Sequence, residues 1–231
     1  PHLQLKGIHI HLQSQILDAE RLSAYYRKCY ELAERVHALQ GADIRFINFG
    51  SGIGTVYDAA SEKELDLEKL GETMKALACR NQKTLKAQLY VETGRFVVCR
   101  AGTYFTPIVD KKVSCGKTYL IVKNAMNGFF RPTIAELLKQ NTAAFPKVGQ
   151  EPLYTSANQC KFRVLGKSEQ LETVDIAGNL CTALDVLAKD IVLPKAEVGD
   201  IIAVSNAGSY GYSLSPQAFS SQEAPGQYLI K

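Results

Sequence analysis

The sequence lacks the features that mark several classes of protein. It has no apolar run approaching ~20 residues, which excludes a membrane-spanning helix. Its first residues lack both an initiating Met and the cationic-then-apolar pattern of a secretion signal. The 27 basic residues are interleaved with 23 acidic ones, and no Lys/Arg run resembles a nucleic-acid-binding surface. We therefore expect neither a membrane nor a nucleic acid as a partner.

The cysteines also lack any organised spacing. All six are scattered along the chain without a C-x-x-C pair, so they predict neither a metal site nor a disulfide framework. A reducing cytoplasm fits this distribution best. What remains is the composition of an ordinary globular protein, and 231 residues are enough for one large domain or two small ones.

The first ~100 residues alternate between strand and helix patterns. Strand patterns occur at residues 5–11, 44–49 and 87–91. Between the first two, apolar residues recur at helical spacing from Leu22 to Leu39, with Asp18 as a candidate N-cap and Gly41 as a candidate stop. A second helix is predicted around residues 67–77. Strands and helices that alternate in this way predict parallel βαβ units.

The pattern changes near residue 102, where short β-rich runs are separated by Gly, Pro and Asn turns. These runs occupy residues 104–113, 118–122, 161–165 and 201–204. They predict a second domain, mainly of antiparallel β structure, that follows the first at residue 102.

Three successive strand ends carry polar or glycine-rich segments, at residues 11–14, 50–54 and 92–95. Ligand sites in parallel α/β folds lie at the carboxyl ends of the strands, so three such ends in succession predict one site. Glycines let the backbone approach a phosphate and offer it N–H donors. A glycine turn after a strand is common, however, and would not by itself establish a site.

Taken in order, these segments resemble the motifs of the fold-type III pyridoxal-phosphate decarboxylases, the group that includes diaminopimelate and ornithine decarboxylases. Residues 11–14 (HLQS) resemble the family's H-x-G-S, residues 50–52 (GSG) its glycine-rich phosphate loop, and residues 92–95 (ETGR) its E-P-G-R. Residues 178–185 (GNLCTALD) resemble its G-x-x-C-x-x-x-D segment, and residues 207–211 (AGSYG) its A-G-A-Y-G. The resemblance covers essentially the whole chain.

The resemblance implies a fold and an activity. The fold would be α/β plus β, with the C-terminal part of a (β/α)8 TIM barrel in residues 1–101 and a mainly antiparallel β domain in residues 102–231. The barrel part would bind pyridoxal 5'-phosphate. The activity would be that of a lyase of amino-acid metabolism, an amino-acid decarboxylase that works as a cytoplasmic homodimer.

The resemblance also assigns roles around the cofactor. His11 would stack on the pyridine ring, where a satisfied buried histidine is the structural alternative. Glu92 would pair with the pyridine nitrogen and keep it protonated, which makes the ring an electron sink. A guanidinium and backbone donors suit the phosphate dianion. The residues implied to hold the phosphate are Ser14, Gly50, Ser51, Gly52, Arg95 and Tyr210.

Two segments of the second half would serve the substrate. Cys181 would protonate the carbanion left by loss of CO₂, across a dimer interface, although a lone cysteine is more often inert packing. Asp185, four residues on, would bind substrate. Arg131 resembles the family's R-P substrate-carboxylate segment, but Ala135 stands where a tyrosine is expected, so a surface arginine is an open alternative.

Several positions depart from the family pattern. Gln13 and Ser51 replace glycines and Thr93 replaces a proline, and all three changes are tolerable. Thr182 stands where diaminopimelate decarboxylases carry a glutamate that recognises the distal amine of the substrate. Diaminopimelate is therefore not favoured as the substrate, and a modified or carrier-linked amino acid becomes an alternative.

The family's Schiff-base lysine lies on an early barrel strand, well before the H-x-G-S segment, which begins here at residue 11. We therefore expect that the amino-terminal half of the barrel is missing from these residues and that they are inactive alone. Lys123 follows a strand, but it resembles a position in the family's β domain and is interpreted as a decoy. An amino-acid racemase of the same barrel and a non-catalytic remnant stay open as alternatives.

Overall fold

The computed structural model describes residues 2–57, 59–141, 160–166 and 169–230. The chain divides into two compact units between Val97 and Val98. The sequence-based boundary after residue 101 stays a prediction. No helix in the described ranges combines the length and the apolar character that a membrane crossing requires.

The first unit contains a small parallel sheet. Its strands are β1 (Gly7–His9), β2 (Phe46–Asn48) and β3 (Gln88–Tyr90), in the order β1-β2-β3. The predicted parallel arrangement is confirmed, although each strand is shorter than the sequence pattern suggested. The register pairs His9 with Asn48 and Asn48 with Tyr90, so the three strands end side by side at one edge.

Helices α1 (Ala19–Gln40) and α2 (Leu67–Lys83) connect these strands, and α3 (Arg95–Val98) follows β3 before a short 3₁₀ turn. The predicted caps of α1 are confirmed. Asp18 accepts hydrogen bonds from the amides of Glu20 and Arg21, and Gly41 ends the helix in the left-handed region, at φ 60°.

The buried face of α1 agrees with the predicted one at Leu22, which is fully buried, and differs from it toward the end of the helix. Its inner residues include Tyr26, Tyr30 and Ala33, whereas Leu39, predicted on the apolar face, is 75% exposed. A 22-residue helix is about 33 Å long, whereas three-residue strands span only about 10 Å. The last turn of α1, residues 37–40, is exposed, as expected of a helix that is longer than the strands beside it.

The second unit is built on a six-stranded sheet in the order β6-β9-β4-β5-β7-β8. Its strands are β4 (Tyr104–Ser114), β5 (Lys117–Val122), β6 (Phe162–Val164), β7 (Leu171–Ala177), β8 (Val186–Pro194) and β9 (Ile201–Val204). The β5–β7 pair is parallel and the other pairs of the order are antiparallel. The end strands β6 and β8 also contact each other, so this mixed sheet is nearly closed.

The sequence pattern missed β7, β8 and the helix α4 (Phe130–Asn141). Two register shifts interrupt the β7–β8 pair, and they break the strict alternation by which strands are recognised. Pro132 near the start of α4 reads as a helix breaker, but the first turn of a helix needs no N–H from that residue.

Candidate functional site

The aligned ends of β1, β2 and β3 carry a network of polar side chains. Asn48 Nδ2 donates to Glu92 Oε1 at 2.8 Å, and Asn48 Oδ1 accepts from the amide of Gly50 at 2.9 Å. His9 Nε2 lies 3.4 Å from the other carboxylate oxygen of Glu92. Glu92 is thus held from both sides. His9 and Asn48 were missed in the sequence, where their only signal is that each is the last residue of its strand.

His11 and Ser14 lie next to the glycine loop. His11 Nε2 is 2.8 Å from Ser14 Oγ, which joins the first and last residues of the HLQS segment. A Cβ placed on Gly50 would lie 2.4 Å from His11 Nδ1, and Gly50 has φ 62°. Only glycine fits there, because both the close approach and the left-handed backbone exclude a side chain. The structure thus brings together the first two predicted segments.

The glycine loop itself is held by its own serine. Ser51 is 7% exposed, and its Oγ accepts from the amide of Ile53 at 3.1 Å. Gly52 has φ 78°, and a Cβ there would lie 2.9 Å from Leu22 Cδ1. A turn with this backbone, packed directly on α1, is the kind of structure that presents N–H groups to an anion.

Arg95 is the first residue of α3 and is 7% exposed. Its Nη1 donates to the hydroxyl of Tyr57 at 2.7 Å, and Tyr57 is itself 4% exposed. A guanidinium held in a fixed orientation suits bidentate recognition of a phosphate. Tyr57 was missed in the sequence, since a tyrosine after a glycine loop has no distinctive spacing.

In the second unit, Asp185 is a buried carboxylate that supports the loop carrying Cys181. Asp185 is 3% exposed, and its two oxygens accept from the amides of Met126 and Leu180, both at 2.9 Å. Gly178 lies so close that a Cβ there would be 2.0 Å from Asp185 Oδ2. Cys181 directly follows Leu180 in the chain and is exposed. The buried Asp185 carboxylate therefore fixes the backbone of the loop that carries Cys181.

Arg131 and Tyr210 lie together in the second unit. The guanidinium carbon of Arg131 is 5.7 Å from the centre of the Tyr210 ring, a distance at which cation–π attraction operates. Arg131 is 2% exposed, so the alternative of a surface arginine is wrong. Tyr210 is 43% exposed and has φ 57°, an uncommon backbone conformation for a tyrosine.

Lys123 follows β5 directly. Its side chain is 53% exposed, and Nζ lies 3.4 Å from Glu223 Oε2. An exposed ion pair of this kind is ordinary surface chemistry. In the described ranges, no group of three or more His, Cys, Asp and Glu side chains has the arrangement of a metal site.

Comparison with known families decides between the general readings of these sites. Residues 1–99 match the family model described as "Pyridoxal-dependent decarboxylase, pyridoxal binding domain", and residues 54–208 match "Pyridoxal-dependent decarboxylase, C-terminal sheet domain". The chain belongs to the fold-type III pyridoxal-dependent decarboxylases. The resemblance seen in the motifs is thereby confirmed, and pyridoxal phosphate is the cofactor of the family.

Individual relatives within the pyridoxal-dependent decarboxylases are distant. The chain is 29% identical over 228 residues to the diaminopimelate decarboxylase of Methanothermobacter thermautotrophicus, covering 97% of this chain and 48% of that protein. It is 27% identical over 225 residues to the L-glutamyl-[BtrI acyl-carrier protein] decarboxylase of Niallia circulans, covering 96% of this chain and 50% of that protein. The chain thus spans about half the length of the curated relatives it matches.

Solved structures of decarboxylases also superpose on this chain over about half of their own length. Diaminopimelate decarboxylase from Helicobacter pylori, complexed with L-lysine, is 28% identical and superposes with a TM-score of 0.71 over 96% of this chain and 50% of its own. The lysine/ornithine decarboxylase from Vibrio vulnificus, complexed with cadaverine, superposes with a TM-score of 0.69 at 18% identity, over 95% of this chain and 52% of its own. The latter likeness concerns the fold.

The first unit has the donor set that the family's cofactor requires. A phosphate needs backbone amides and a cation, and the loop around Gly50 and Gly52 and the buried Arg95 provide them. A pyridine ring needs a flat partner and a carboxylate for its nitrogen, which are present as His11 and Glu92. The residues present therefore fit pyridoxal phosphate.

Proposed function

We propose that this chain forms the phosphate-binding, ring-binding and proton-donating part of a pyridoxal-phosphate-dependent amino-acid decarboxylase. The observation that carries the proposal is the network at the ends of β1, β2 and β3. There one side chain, Asn48, binds both the amide of Gly50 and the carboxylate of Glu92. Groups for a phosphate and for a pyridine nitrogen are thereby held in one framework, as this cofactor requires. The three strands would form part of a (β/α)8 barrel.

The first unit would hold the cofactor. Bound pyridoxal phosphate supplies a ring that accepts the electron pair released when CO₂ leaves the substrate. His11 would lie against the face of that ring, and Glu92 would hold the proton on its nitrogen. Within the first unit, the phosphate would be bound by Ser14, Gly50, Ser51, Gly52 and Arg95. That Tyr210 also binds it stays a prediction from the family resemblance.

The second unit would complete the reaction. Cys181 Sγ would deliver a proton to the carbon that has lost CO₂, and its exposure on an ordered loop suits delivery to a site shared between the two copies of a homodimer. Arg131, a buried cation, would orient the substrate carboxylate. Asp185 would act on the substrate through its hold on the Cys181 loop rather than by direct contact, because both of its oxygens accept backbone amides.

The lysine that binds the cofactor covalently would not come from these 231 residues. Lys123, the one candidate that the sequence suggested, forms an ion pair with Glu223 on the surface of the second unit. The chain alone would therefore bind the cofactor reversibly and would not turn over substrate. All six cysteines are free, which supports a reducing compartment such as the cytoplasm.

The experiment is a titration of the 231-residue chain with pyridoxal phosphate, followed by borohydride reduction and intact-mass measurement. We expect saturable binding that inorganic phosphate competes away, with no covalent adduct after reduction. Glu92→Gln should weaken binding, while Lys123→Gln should leave it unchanged. Absence of saturable binding would refute the proposal, and a reduced adduct on Lys123 would overturn the assignment of the lysine.

The substrate would be an amino acid, free or linked to a carrier. Thr182 Oγ1 accepts from the amide of Leu184 at 3.3 Å, so this hydroxyl serves the loop, and no carboxylate stands at the position. A second amine on the substrate would therefore find no counter-charge there. Since the chain alone would not turn over substrate, a lysine-bearing half of the barrel has to be supplied first. Release of CO₂ from candidate amino acids, in the free and the carrier-linked form, is then the measurement that identifies the substrate.

A further inference from the structure

Tyr25 of α1 bonds to the backbone on both sides of His11. Its hydroxyl lies 2.6 Å from the carbonyl oxygen of Ile10 and accepts from the amide of Leu12 at 3.3 Å. The same hydroxyl is 3.0 Å from the carbonyl oxygen of Phe49. One side chain thus contacts both peptide groups that flank His11 and the last residue before Gly50.

The chemistry of the hydroxyl suits this central position. A phenol has one proton, which a bifurcated hydrogen bond shares between the carbonyl oxygens of Ile10 and Phe49, while the oxygen accepts from the amide of Leu12. Burial raises the pKa of Tyr25, and a hydrogen bond with Cys29 raises it further. The hydroxyl therefore keeps its proton throughout the neutral range and stays a donor.

The contact between His11 and Gly50 depends on this arrangement. The imidazole of His11 lies where a Cβ on Gly50 would be, 2.4 Å from Nδ1, so the ring packs directly on the glycine backbone. Such close packing tolerates little displacement of either segment. The bonds of Tyr25 join the two segments immediately beside that contact.

We propose that Tyr25 is the positioning residue of His11, because its hydroxyl bonds to both peptides around His11 and ties them to the residue before the glycine loop. The role of His11 toward the cofactor rests on the proposed function, but the contact between His11 and Gly50 does not. Tyr25 is a residue of the chain's own helix and lies outside every motif that the sequence suggested.

The same helix offers a matched control. Tyr30 is fully buried, and its hydroxyl bonds to Asn81 at 3.2 Å and to Thr84 at 2.7 Å, near the end of α2. Tyr30→Phe removes the same atom as Tyr25→Phe, from the same helix and core. It should weaken the packing of the first unit without touching the His11 segment.

The test is a nuclear Overhauser measurement on the isotope-labelled chain without cofactor. In the natural chain, the ring protons of His11 should show strong cross-peaks to the α-protons of Gly50. Tyr25→Phe should abolish these cross-peaks, whereas Tyr30→Phe should retain them. Persistence of the cross-peaks in a folded Tyr25→Phe variant would overturn the inference, even if the chain binds pyridoxal phosphate.

If Tyr25→Phe does not fold, a second measurement tests whether the Tyr25 hydroxyl holds the His11 segment. The amide of Leu12 should exchange slowly with deuterium in the natural chain, because its bond to the Tyr25 hydroxyl protects it. Exchange at the rate of an unprotected amide would show that the hydroxyl does not hold the segment. A natural chain with the His11–Gly50 cross-peaks but without cofactor binding would refute the proposed function and leave this inference standing.

Discussion

In the first unit, the candidate residues lie at the ends of three short parallel strands and hold one another, whereas in the second unit the exposed Cys181 lies on a loop that one buried carboxylate supports. The first arrangement uses many contacts of ordinary strength, such as those of Asn48 with Gly50 and Glu92. The second concentrates the contacts on Asp185. A site with distributed contacts loses function in small steps, and a site with one central support loses it at once.

The largest effect is expected where the support is concentrated. Asp185→Ala would leave the buried amide of Met126 and the partly buried amide of Leu180 without acceptors, which should lower the free energy of unfolding of the second unit by about 3 kcal/mol. Urea denaturation followed by circular dichroism measures this change. Deuterium exchange at the two amides should accelerate as well.

Asp200→Ala is the control for that substitution. Asp200 Oδ2 accepts from one amide, that of Glu197, at 2.9 Å and at an exposed place. Water can replace this bond, so the loss should stay below about 1 kcal/mol. Equal losses for the two variants would show that Asp185 has no special role in the loop.

An intermediate effect is expected in the first unit, and it should affect binding more than folding. Gly50→Ala would force an alanine into the left-handed region, at about 1 kcal/mol, and would also push the His11 ring away. We expect a modest loss of stability together with a large loss of affinity for pyridoxal phosphate. Fluorescence titration and urea denaturation of the same variant measure the two quantities.

Gly41→Ala separates the effect of the left-handed backbone from the effect of displacing the His11 ring. Gly41 has φ 60°, almost the same as Gly50, but nothing lies within 4 Å of a Cβ placed there. Gly41→Ala should lose a similar amount of stability and keep the affinity of the natural chain. If both variants bind the cofactor equally well, the contact between Gly50 and His11 has no part in binding.

The smallest effect concerns the response of the second unit to acid. Partial burial would raise the pKa of Glu172, but hydrogen bonds from Lys111 at 3.0 Å and Thr118 at 3.1 Å outweigh it, so the pKa lies below its ordinary value of 4.5. A carboxyl whose pKa is lowered by folding stabilises the fold above that ordinary value. This contribution is lost as the pH falls through the folded-state pKa.

Lys111→Met should therefore reduce the acid-dependent part of the stability, by less than about 1 kcal/mol. Urea denaturation at pH values on both sides of the ordinary pKa of Glu172 measures the difference. Lys69→Met serves as the control from the first unit, because Lys69 pairs with Glu20 at an exposed place. An identical pH profile for Lys111→Met and the natural chain would contradict the assignment.

Sequence reasoning reached those features that depend on backbone conformation and on the order of motifs. Asp18 and Gly41 were predicted as caps because helix ends need a particular acceptor and a particular φ. The meeting of the segments at residues 11–14 and 50–54 was predicted because parallel strands end at one edge, whereas the contact between His11 and Gly50 is seen only in the structure.

Features that depend on the direction of a side chain could not be predicted from the sequence. The sequence does not show which way Tyr25 rotates on α1 or that Asn48 faces Glu92, since both follow from register and helix packing. Asp185 was interpreted as a substrate ligand because of the family-like segment that it ends. Its burial depends on a contact with Met126, 59 residues away along the chain, which the sequence does not show. The helix α4 was missed because Pro132 lies in its first turn, and a proline can mark either the start of a helix or a break in one.

Asn48 links the glycine loop of the first unit to the carboxylate of Glu92. Asn48 Nδ2 donates to Glu92 and Asn48 Oδ1 accepts from Gly50, so Glu92 and Gly50 cannot shift independently without breaking one of these hydrogen bonds. The Gly50 amide has one N–H, so an anion that takes it displaces Asn48 Oδ1, and the released Asn48 side chain can then change the orientation of the Glu92 carboxylate as well. By thermodynamic reciprocity, whatever binds Glu92 alters the affinity of the glycine loop by the same factor. The binding of the two ends of the cofactor would thus be coupled through Asn48.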